Sequence, residues 1–288
     1  MKNDKPMSFL RVLYAKTAYR LPVARSVLEG ARIARARYSR RKKLEKLNRF
    51  RDEGKSVVHF LHIGKTGGTA VKEALADHTV TDRHVLALHL HHFKLQDVPA
   101  GEKVVFFLRD PISRFVSGFL NQQRQGLPRY FSPWTPGEKR AFSRFSTPNE
   151  LAIALSSEDP DLRNAAEAAM RTIKHVRSSV WGWFGDPDYF SSRAGDVLFV
   201  GFQERLGADF ERLKEILNLP SSIRLPDKET ESHKTPDVAD KRLSDEARTN
   251  LEEWFAADYE FLGLCAAVLG LDLPGSLAAS PHPRKNDS

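Results

Sequence analysis

The sequence predicts an α/β fold in which a central parallel sheet is flanked by helices, and three observations lead to that prediction. Short runs rich in β-branched and aromatic residues, such as 57–63, alternate along the chain with longer helical stretches. Two of these runs stop at loops that open directly into a helix, as the units of a parallel sheet do. At 288 residues, the chain is long enough for one large domain of this kind.

The first of these loops follows the run at 57–63 and reads Gly64-Lys65-Thr66-Gly67-Gly68-Thr69. The residues after it favour a helix, and a helix N-terminus offers backbone N–H groups and a positive dipole end to an anion. Gly67 and Gly68 let the backbone approach a ligand closely. The lysine adds a positive charge, and the two threonines add hydroxyl groups. We therefore predict that the loop binds a phosphate group.

This loop differs from the Walker pattern, G-x-x-x-x-G-K-[ST]. Gly64, Lys65 and Thr66 match the end of that pattern, but its first glycine falls on His59, and residues 60–63 are apolar. The other glycines follow the lysine. A P-loop-type small-molecule kinase, which would use ATP with Mg²⁺, stays as an alternative that only residues 64–66 favour.

The second loop follows the apolar run at 103–108. Arg109 ends the run, Asp110 is a good N-cap, and Pro111 suits the first position of a helix. Ser117 then lies near the second turn of that predicted helix. Arginine suits phosphate recognition because its planar guanidinium can donate two parallel hydrogen bonds. The sequence therefore predicts a second phosphate site at Arg109 and Ser117.

The two loops together resemble those of sulfotransferases that use 3′-phosphoadenosine 5′-phosphosulfate (PAPS). The carbohydrate branch of that family, known as sulfotransferase family 2 and including heparan 2-O- and other Golgi-type enzymes, carries a similar I-P-K-T-G-G-T run, in which Gly64 takes the place of proline. Its 3′-phosphate pattern has an arginine at a strand end and a serine eight residues later, like Arg109 and Ser117. The segment from Val200 to Glu204 resembles its late V-G-x-x-E junction. The resemblance spans residues 56–265, and we expect a bacterial member.

A strand is also predicted at 83–93, with histidines at its far end. Period-2 geometry would put His89 and His91 on one face, at the sheet edge where ligands of open α/β folds collect. Related carbohydrate sulfotransferases place a base in a similar H-x-H segment, so the resemblance implies His91 as the base, with His89 second. Two structural histidines are the alternative. No matching carboxylate or third ligand accompanies them, and no metal is predicted.

The resemblance also implies the reaction. The co-substrate would be PAPS, the product adenosine 3′,5′-bisphosphate (PAP), and the acceptor a hydroxyl group on a glycan or glycolipid. Lys65 and the loop at 64–69 would hold the phosphosulfate, while Arg109 and Ser117 would hold the 3′-phosphate. Ser232 and Lys234 lie in a polar segment that would form a loop covering the nucleotide. The alternative is that this segment is a solvated loop without a role in binding.

Charge and cysteine content set the wider expectations. Residues 1–55 contain 17 Lys and Arg but only 5 Asp and Glu, whereas the whole chain carries a formal net charge of +8. The rest of the chain is therefore net negative, and no nucleic-acid binding is expected. The basic composition of residues 1–55 favours either solvated helices or a contact with an anionic membrane surface. A nonenzymatic membrane-surface adaptor therefore stays as an alternative function of the protein. The single cysteine, Cys265, excludes an intramolecular disulfide.

These observations predict three parts: a basic helical segment at 1–55, a sulfotransferase domain at 56–270 and a disordered tail at 271–288. The lack of an anchor and of a disulfide framework favours a cytoplasmic enzyme, peripheral on the inner membrane face. Within the domain, the pattern predicts a long loop at 121–139 and a continuous helix at 162–183. A final amphipathic helix is predicted from Ser244 to about residue 267.

Overall fold

The computed structural model describes residues 44–128, 130–226 and 241–278, together with residues 38, 41 and 42. The chain divides into two compact units, Met1–Glu53 and Gly54–Ser288. In the first unit, the described residues include the short helix α1, Asn48–Asp52, and an exposed ion pair from Arg41 Nε to Glu45 Oε1 at 2.7 Å. Most of the predicted basic segment lies outside the described residues.

The second unit is built on a sheet whose four strands are all parallel, which confirms the predicted fold class. The strands are β1 (Ser56–Leu61), β2 (His84–Leu88), β3 (Lys103–Leu108) and β4 (Val197–Phe202). Their order in the sheet is β2-β1-β3-β4. The chain therefore passes from β1 to β2 on one side of it and then crosses to β3 on its other side. The strand order reverses between β1 and β3, which is the topological switch point. Ligands of open α/β sheets bind beyond the carboxyl ends of the strands at such a switch.

Eleven described helices belong to this unit. They are α2 (Gly68–Leu75), α3 (Pro111–Gln123), α4 (Pro136–Arg144), α5 (Pro148–Ile153), α6 (Pro160–Thr172), α7 (Trp181–Phe184), α8 (Pro187–Ser192), α9 (Leu206–Ile216), α10 (Asp245–Trp254), α11 (Ala256–Leu269) and α12 (Gly275–Ala278). None of the helices in the described ranges combines the length and the apolar character that a membrane span requires.

Both faces of the sheet are covered, which explains why its strands are apolar throughout rather than alternating. On one face, Phe60 and Phe107 pack with residues of α2 and α9, such as Val71 and Phe210. On the other face, the ring of Phe106 contacts that of Phe184, with centroids 4.5 Å apart, and further aromatic rings of α8 and α11 extend the contact. The sheet is therefore a rigid base for the loops at its carboxyl edge.

Five parts of the chain differ from the prediction. β2 ends at Leu88, before the histidines, and the loop predicted at 121–139 is shorter, because α3 continues to Gln123 and α4 begins at Pro136. The predicted helix at 162–183 is two helices, because α6 ends at Thr172 and α7 begins only at Trp181. The final helix is divided at Phe255. Part of the predicted disordered tail forms α12, and residues 279–288 lie outside the described residues.

Candidate active site

The loop after β1 turns sharply into α2 at a conformation that glycine permits. Gly67, the N-cap of α2, has φ +83°, and Lys65 is also left-handed, with φ +70°. A left-handed residue other than glycine is uncommon and costs of order 1–2 kcal/mol, so the surrounding structure must hold Lys65 in place. Gly68 is needed for space, because a Cβ atom there would lie 2.6 Å from Cδ2 of His62. The N-terminus of α2 is thereby left open to a ligand.

The loop after β3 is tied to its neighbours by hydrogen bonds. Asp110 caps α3 by accepting a bond from the Ser113 N–H at 2.6 Å, and its own N–H donates to Glu204 Oε1 at 2.9 Å. Arg109 donates from Nε to Ser113 Oγ at 2.9 Å and from Nη1 to the carbonyl oxygen of Lys65 at 3.3 Å. The guanidinium is therefore anchored between the two loops, and it lines the same cleft as Lys65.

This cleft has a volume of about 820 Å³, which is large enough for a nucleotide and part of an acceptor. Its lining includes the first turn of α2, one face of α3 and several cations. The cations that line it are Lys65, Arg109, Lys174, Lys241 and Arg248, whereas Asp110 is the one acidic residue among the described lining residues. Because the unit around it is net negative, the positive charge is focused at this cleft.

His91 lies on the wall of the cleft. Its Nδ1 is 2.9 Å from the carbonyl oxygen of His62, so Nδ1 carries the proton and Nε2 keeps a lone pair. The backbone of His91 is fixed by Trp183, whose Nε1–H donates to the His91 carbonyl oxygen at 2.8 Å. Partial desolvation lowers the pKa of His91, and the charges of Lys72 and Lys174 lower it further against the hydrogen bond to His62. The neutral ring can therefore accept a proton near pH 7.

His89 is placed differently from the prediction. Because β2 ends at Leu88, the alternation does not continue, and His89 is 1% exposed and does not line the cleft. Its Nε2 is 2.8 Å from His59 Nδ1, and His59 Nε2 is 2.6 Å from Glu102 Oε2. The ring stacks on Phe93, with centroids 3.4 Å apart. We call His59 and His89 the buried histidine pair; the geometry gives them a structural role.

A second group of histidines, His62, His91 and His175, lines the cleft, and we call them the cleft histidines. The ring centroids of His62 and His91 are 3.8 Å apart, and those of His91 and His175 are 6.2 Å apart. His175 belongs to the turn between α6 and α7, inside the stretch predicted as one helix. The Lys and His residues at 174 and 175 are typical of a helix C-terminus and are the signal that the prediction missed.

The turn that carries His175 is held by a buried ion pair. Arg114 on α3 donates from Nη1 to Asp258 Oδ2 of α11 at 2.8 Å, with side chains 5% and 3% exposed. Arg114 also donates to the carbonyl oxygen of Ser178, and the N–H of Val180 donates to Asp258 Oδ1 at 3.0 Å. Because these bonds join the turn to both α3 and α11, the turn is fixed against both helices.

Lys65 has an unusual charge state. Burial lowers its pKa to about 7, and the nearby charges of Arg109 and Arg124 add to the effect. A bound anion would reverse this shift, since an opposite charge favours the protonated amine. Perturbation of this size by desolvation and neighbouring charge, in a cleft, is typical of functional sites.

The structure brings together most of the predicted donor-binding residues. Those that line the cleft are Lys65, Gly67, Gly68, Thr69, Arg109 and Ser117, and the predicted base His91 lines it as well. Gly64 and Thr66 do not line it; the Thr66 hydroxyl is buried and donates to the carbonyl oxygen of Ile63 at 3.1 Å. Ser232 and Lys234 lie outside the described residues. Across the described ranges, no group of three or more His, Cys, Asp or Glu side chains is arranged to hold a metal ion.

The sequence analysis also missed residues on the far side of the cleft. Asn121, one turn beyond Ser117 on α3, is 3% exposed, and within the described part of the chain its Oδ1 has no hydrogen-bond partner. Tyr130 lines the same region, and Lys174 Nζ lies 5.7 Å from the centroid of its ring. These side chains have no local motif, because segments distant in sequence bring them together.

A comparison with protein families decides the class of the enzyme. The profile of the sulfotransferase family matches residues 48–264, which is most of the chain. The chain belongs to the sulfotransferase family. This confirms the resemblance to sulfotransferase family 2 and makes the protein a sulfotransferase, with PAPS implied as its co-substrate. No curated protein sequence matches this sulfotransferase.

Proposed function

We propose that this sulfotransferase moves a sulfuryl group from PAPS to a hydroxyl group of a carbohydrate or glycolipid acceptor, with His91 as the general base. The observation that carries the proposal is that Lys65, Arg109, Ser117 and His91 line a single cleft. A kinase or an adaptor protein has no comparable support from the family to which the chain belongs.

The donor half of the proposal rests on two anion sites at the carboxyl edges of adjacent strands. The N-terminus of α2 and Lys65 suit the 5′-phosphosulfate, because the helix end presents free N–H groups beside a lysine. Arg109 and Ser117 suit the 3′-phosphate. Because Arg109 is bonded to both Ser113 and the backbone of Lys65, the two sites keep a fixed spacing, and that spacing would select a nucleotide with phosphates at both ends.

In the proposed reaction, the acceptor hydroxyl oxygen attacks the sulfur in line with the leaving phosphate. A sulfur–oxygen bond to the acceptor forms while the bond to the phosphate oxygen breaks, and the hydroxyl proton moves to Nε2 of His91. Negative charge grows on the leaving phosphate, where protonated Lys65 and the N–H groups of α2 would stabilise it. The hydrogen bond from His91 Nδ1–H to His62 supports this role because it leaves Nε2 as the proton acceptor.

Thermal denaturation with nucleotides tests the donor half. PAP should raise the melting temperature without added metal, and more than adenosine 5′-phosphate does, because only PAP occupies the Arg109 and Ser117 site. Arg109→Ala should abolish this difference, whereas Arg140→Ala, an exposed arginine on α4 outside the cleft, should preserve it. Equal shifts with PAP and adenosine 5′-phosphate in the native protein would contradict the proposal, as would a response to ATP with Mg²⁺ alone.

Transfer of labelled sulfate from PAPS tests the acceptor half. Glycans and glycolipids presented as acceptors should gain label, and Lys65→Ala should lower both turnover and donor affinity, because the lysine contacts the phosphosulfate before and during transfer. Lys139→Ala, an exposed lysine outside the cleft, is the matched control. Label found only on phenols or tyrosine peptides would contradict the carbohydrate class.

We further propose that the enzyme is cytoplasmic and associates with anionic membranes through the basic segment at 1–55. The excess of Lys and Arg there supports this, since juxtamembrane basic clusters are attracted to anionic lipids. Binding to vesicles containing phosphatidylserine should weaken as salt rises, because the Debye length is only about 10 Å at 0.1 M. Removal of residues 1–50 should abolish that binding, and unchanged binding would exclude the segment as the anchor.

A further inference from the structure

His175 has a backbone conformation that a side chain rarely adopts. Its φ is +70°, and the residue lies in the turn that the Arg114–Asp258 ion pair holds. Non-glycine residues in this region are strained and persist only where the surrounding structure imposes them, which is often at functional sites. The fold therefore maintains this conformation at a position where the side chain faces the cleft.

Two glycines make room for the same residue. A Cβ atom on Gly64 would lie 3.2 Å from Nδ1 of His175, and one on Gly118 would lie 3.3 Å from the Cβ of His175. Gly64 is also the position at which the related phosphate loops have proline, whose ring begins with a Cβ atom. The imidazole thus fits against the start of the phosphate loop because that loop lacks a side chain there.

The ring of His175 stands among the groups assigned to the reaction. Its centroid is 6.2 Å from that of His91, and it lines the cleft together with Lys65. In the part of the chain that the structure describes, no protein group is hydrogen-bonded to its imidazole. The imidazole of His175 is therefore available to a ligand that occupies the cleft.

The surroundings keep this imidazole neutral. Burial lowers the pKa of His175 to about 3, and the charges of Lys65, Lys174, His91 and Arg114 act in the same direction. A neutral imidazole still carries one N–H donor. It can offer this hydrogen bond without competing with His91 for the acceptor proton.

We propose that His175 is a further catalytic residue, whose N–H donates a hydrogen bond to an oxygen of the sulfuryl group in transit and holds that group in line. This inference rests on the proposed function. The bonds that form and break are those already described, the acceptor proton goes to His91, and His175 keeps its own proton throughout. Preorganised donors of this kind act where charge is shared among oxygens in the transition state.

Release of sulfate from labelled PAPS into water provides a test that needs no identified acceptor. His175→Gly removes the ring without adding strain at a positive φ, and His175→Gln keeps an N–H donor. His175→Gly should lower kcat about a hundredfold, the usual effect of losing one such donor. The kcat of His175→Gln should be at least tenfold higher than that of His175→Gly. The shift in melting temperature with PAP should stay the same in both variants.

The pH profile distinguishes a donor from a base. The acid limb of the pH profile is the fall in kcat at acidic pH. If His175 is a hydrogen-bond donor, this limb should have the same midpoint in His175→Gly as in the native enzyme, because His91 still takes the proton. Loss of that limb would overturn the assignment in favour of a base. An unchanged kcat in His175→Gly would also overturn it, and so would a loss of PAP binding in both variants, which would show a packing role. Failure of the native protein to bind PAP or release sulfate would instead contradict the proposed function.

Discussion

The buried histidine pair lies close in sequence to two of the cleft histidines, His62 and His91, but differs from them in its surroundings. His59 and His89 are 0% and 1% exposed, and a chain of short hydrogen bonds joins them to Glu102. His91 faces the cleft, and one of its nitrogens is fixed by a backbone carbonyl oxygen while the other remains open. His59 and His89 are buried away from the cleft, so their hydrogen bonds serve to stabilise the fold, whereas His91 has a ring nitrogen that can accept a proton from a ligand in the cleft.

This difference shows that the H-x-H pattern alone does not identify a base. His89 and His91 are separated by a single residue in sequence, but the end of β2 at Leu88 places one in the core and the other at the cleft. The backbone of this segment is held by Lys72, whose Nζ donates to the His89 carbonyl oxygen at 2.6 Å. The same bond restrains the segment that carries His91. The Lys72 bond thus helps to position His91, the proposed base.

The largest expected effect comes from the cleft. His91→Ala should lower kcat for sulfuryl transfer by about a hundredfold or more, because a general base typically contributes 10²–10⁴-fold. PAP affinity, measured by calorimetry, should stay nearly unchanged, since His91 is assigned to the acceptor. His89→Ala is the informative counterpart. If it produced the larger loss of turnover per folded molecule, the assignment of roles between the two histidines would be reversed.

The buried pair should affect stability instead. His59→Phe removes one hydrogen-bond partner from each of His89 and Glu102, and we expect the free energy of unfolding to fall by about 1–3 kcal/mol, the range for disrupting a buried polar group. Urea denaturation measures this change, and turnover per folded molecule should remain within about threefold of native. The exposed residue His78 provides the matched control, since His78→Phe should leave stability almost unaffected. A normal stability of His59→Phe would contradict a structural role for the pair.

The charge state of Lys65 gives a smaller effect that depends on pH. The pKa of Lys65 is about 7 in the free protein, and a bound anion raises it. Above pH 7, binding of PAP is therefore accompanied by uptake of a proton by Lys65. PAP affinity should therefore be constant just below pH 7 and fall by up to tenfold per pH unit above it. Calorimetry at pH 8 in two buffers of different ionisation enthalpy should show proton uptake. Affinity independent of pH from 7 to 9 would show that the lysine is already fully charged.

The smallest effect concerns the support of His91. Trp183→Phe removes the Nε1–H that donates to the His91 carbonyl oxygen, and a neutral hydrogen bond of this kind contributes about 0.5–1.5 kcal/mol. We expect kcat to fall by less than tenfold, with little change in PAP affinity. Trp181→Phe is a suitable comparison, because Trp181 donates to Ala257 instead and does not line the cleft. Equal effects of the two substitutions on kcat would argue against specific positioning of His91.

The two loops that we propose to bind the donor could be located from the sequence, because the signals for them are local. The phosphate loop and the Arg109 loop each consist of a strand, a turn and a helix, and glycine, proline and an N-cap mark their boundaries. The bounds of β3 and the cap at Asp110 agree with the prediction for that reason. The family resemblance, carried by the same residues, gave the class of the enzyme.

Most of the opposite wall of the cleft could not be predicted in this way, because tertiary contacts decide it. His175 lies in a stretch with a helical pattern, and the helix is broken where Arg114 and Asp258 bind the turn. His89 and His91 diverge because β2 stops at Leu88, which the alternating pattern did not reveal. No local signal in the sequence indicates which distant side chain will fill the space beside Gly64.

The Arg114–Asp258 ion pair also sets the order in which the site can be completed during synthesis. Both donor loops lie within residues 57–117, and their strands can pair as soon as that part of the chain has emerged. The turn with His175 needs Asp258, a residue 144 positions after Arg114. A nascent chain on the ribosome can therefore pair these strands well before it can organise the opposite wall of the cleft.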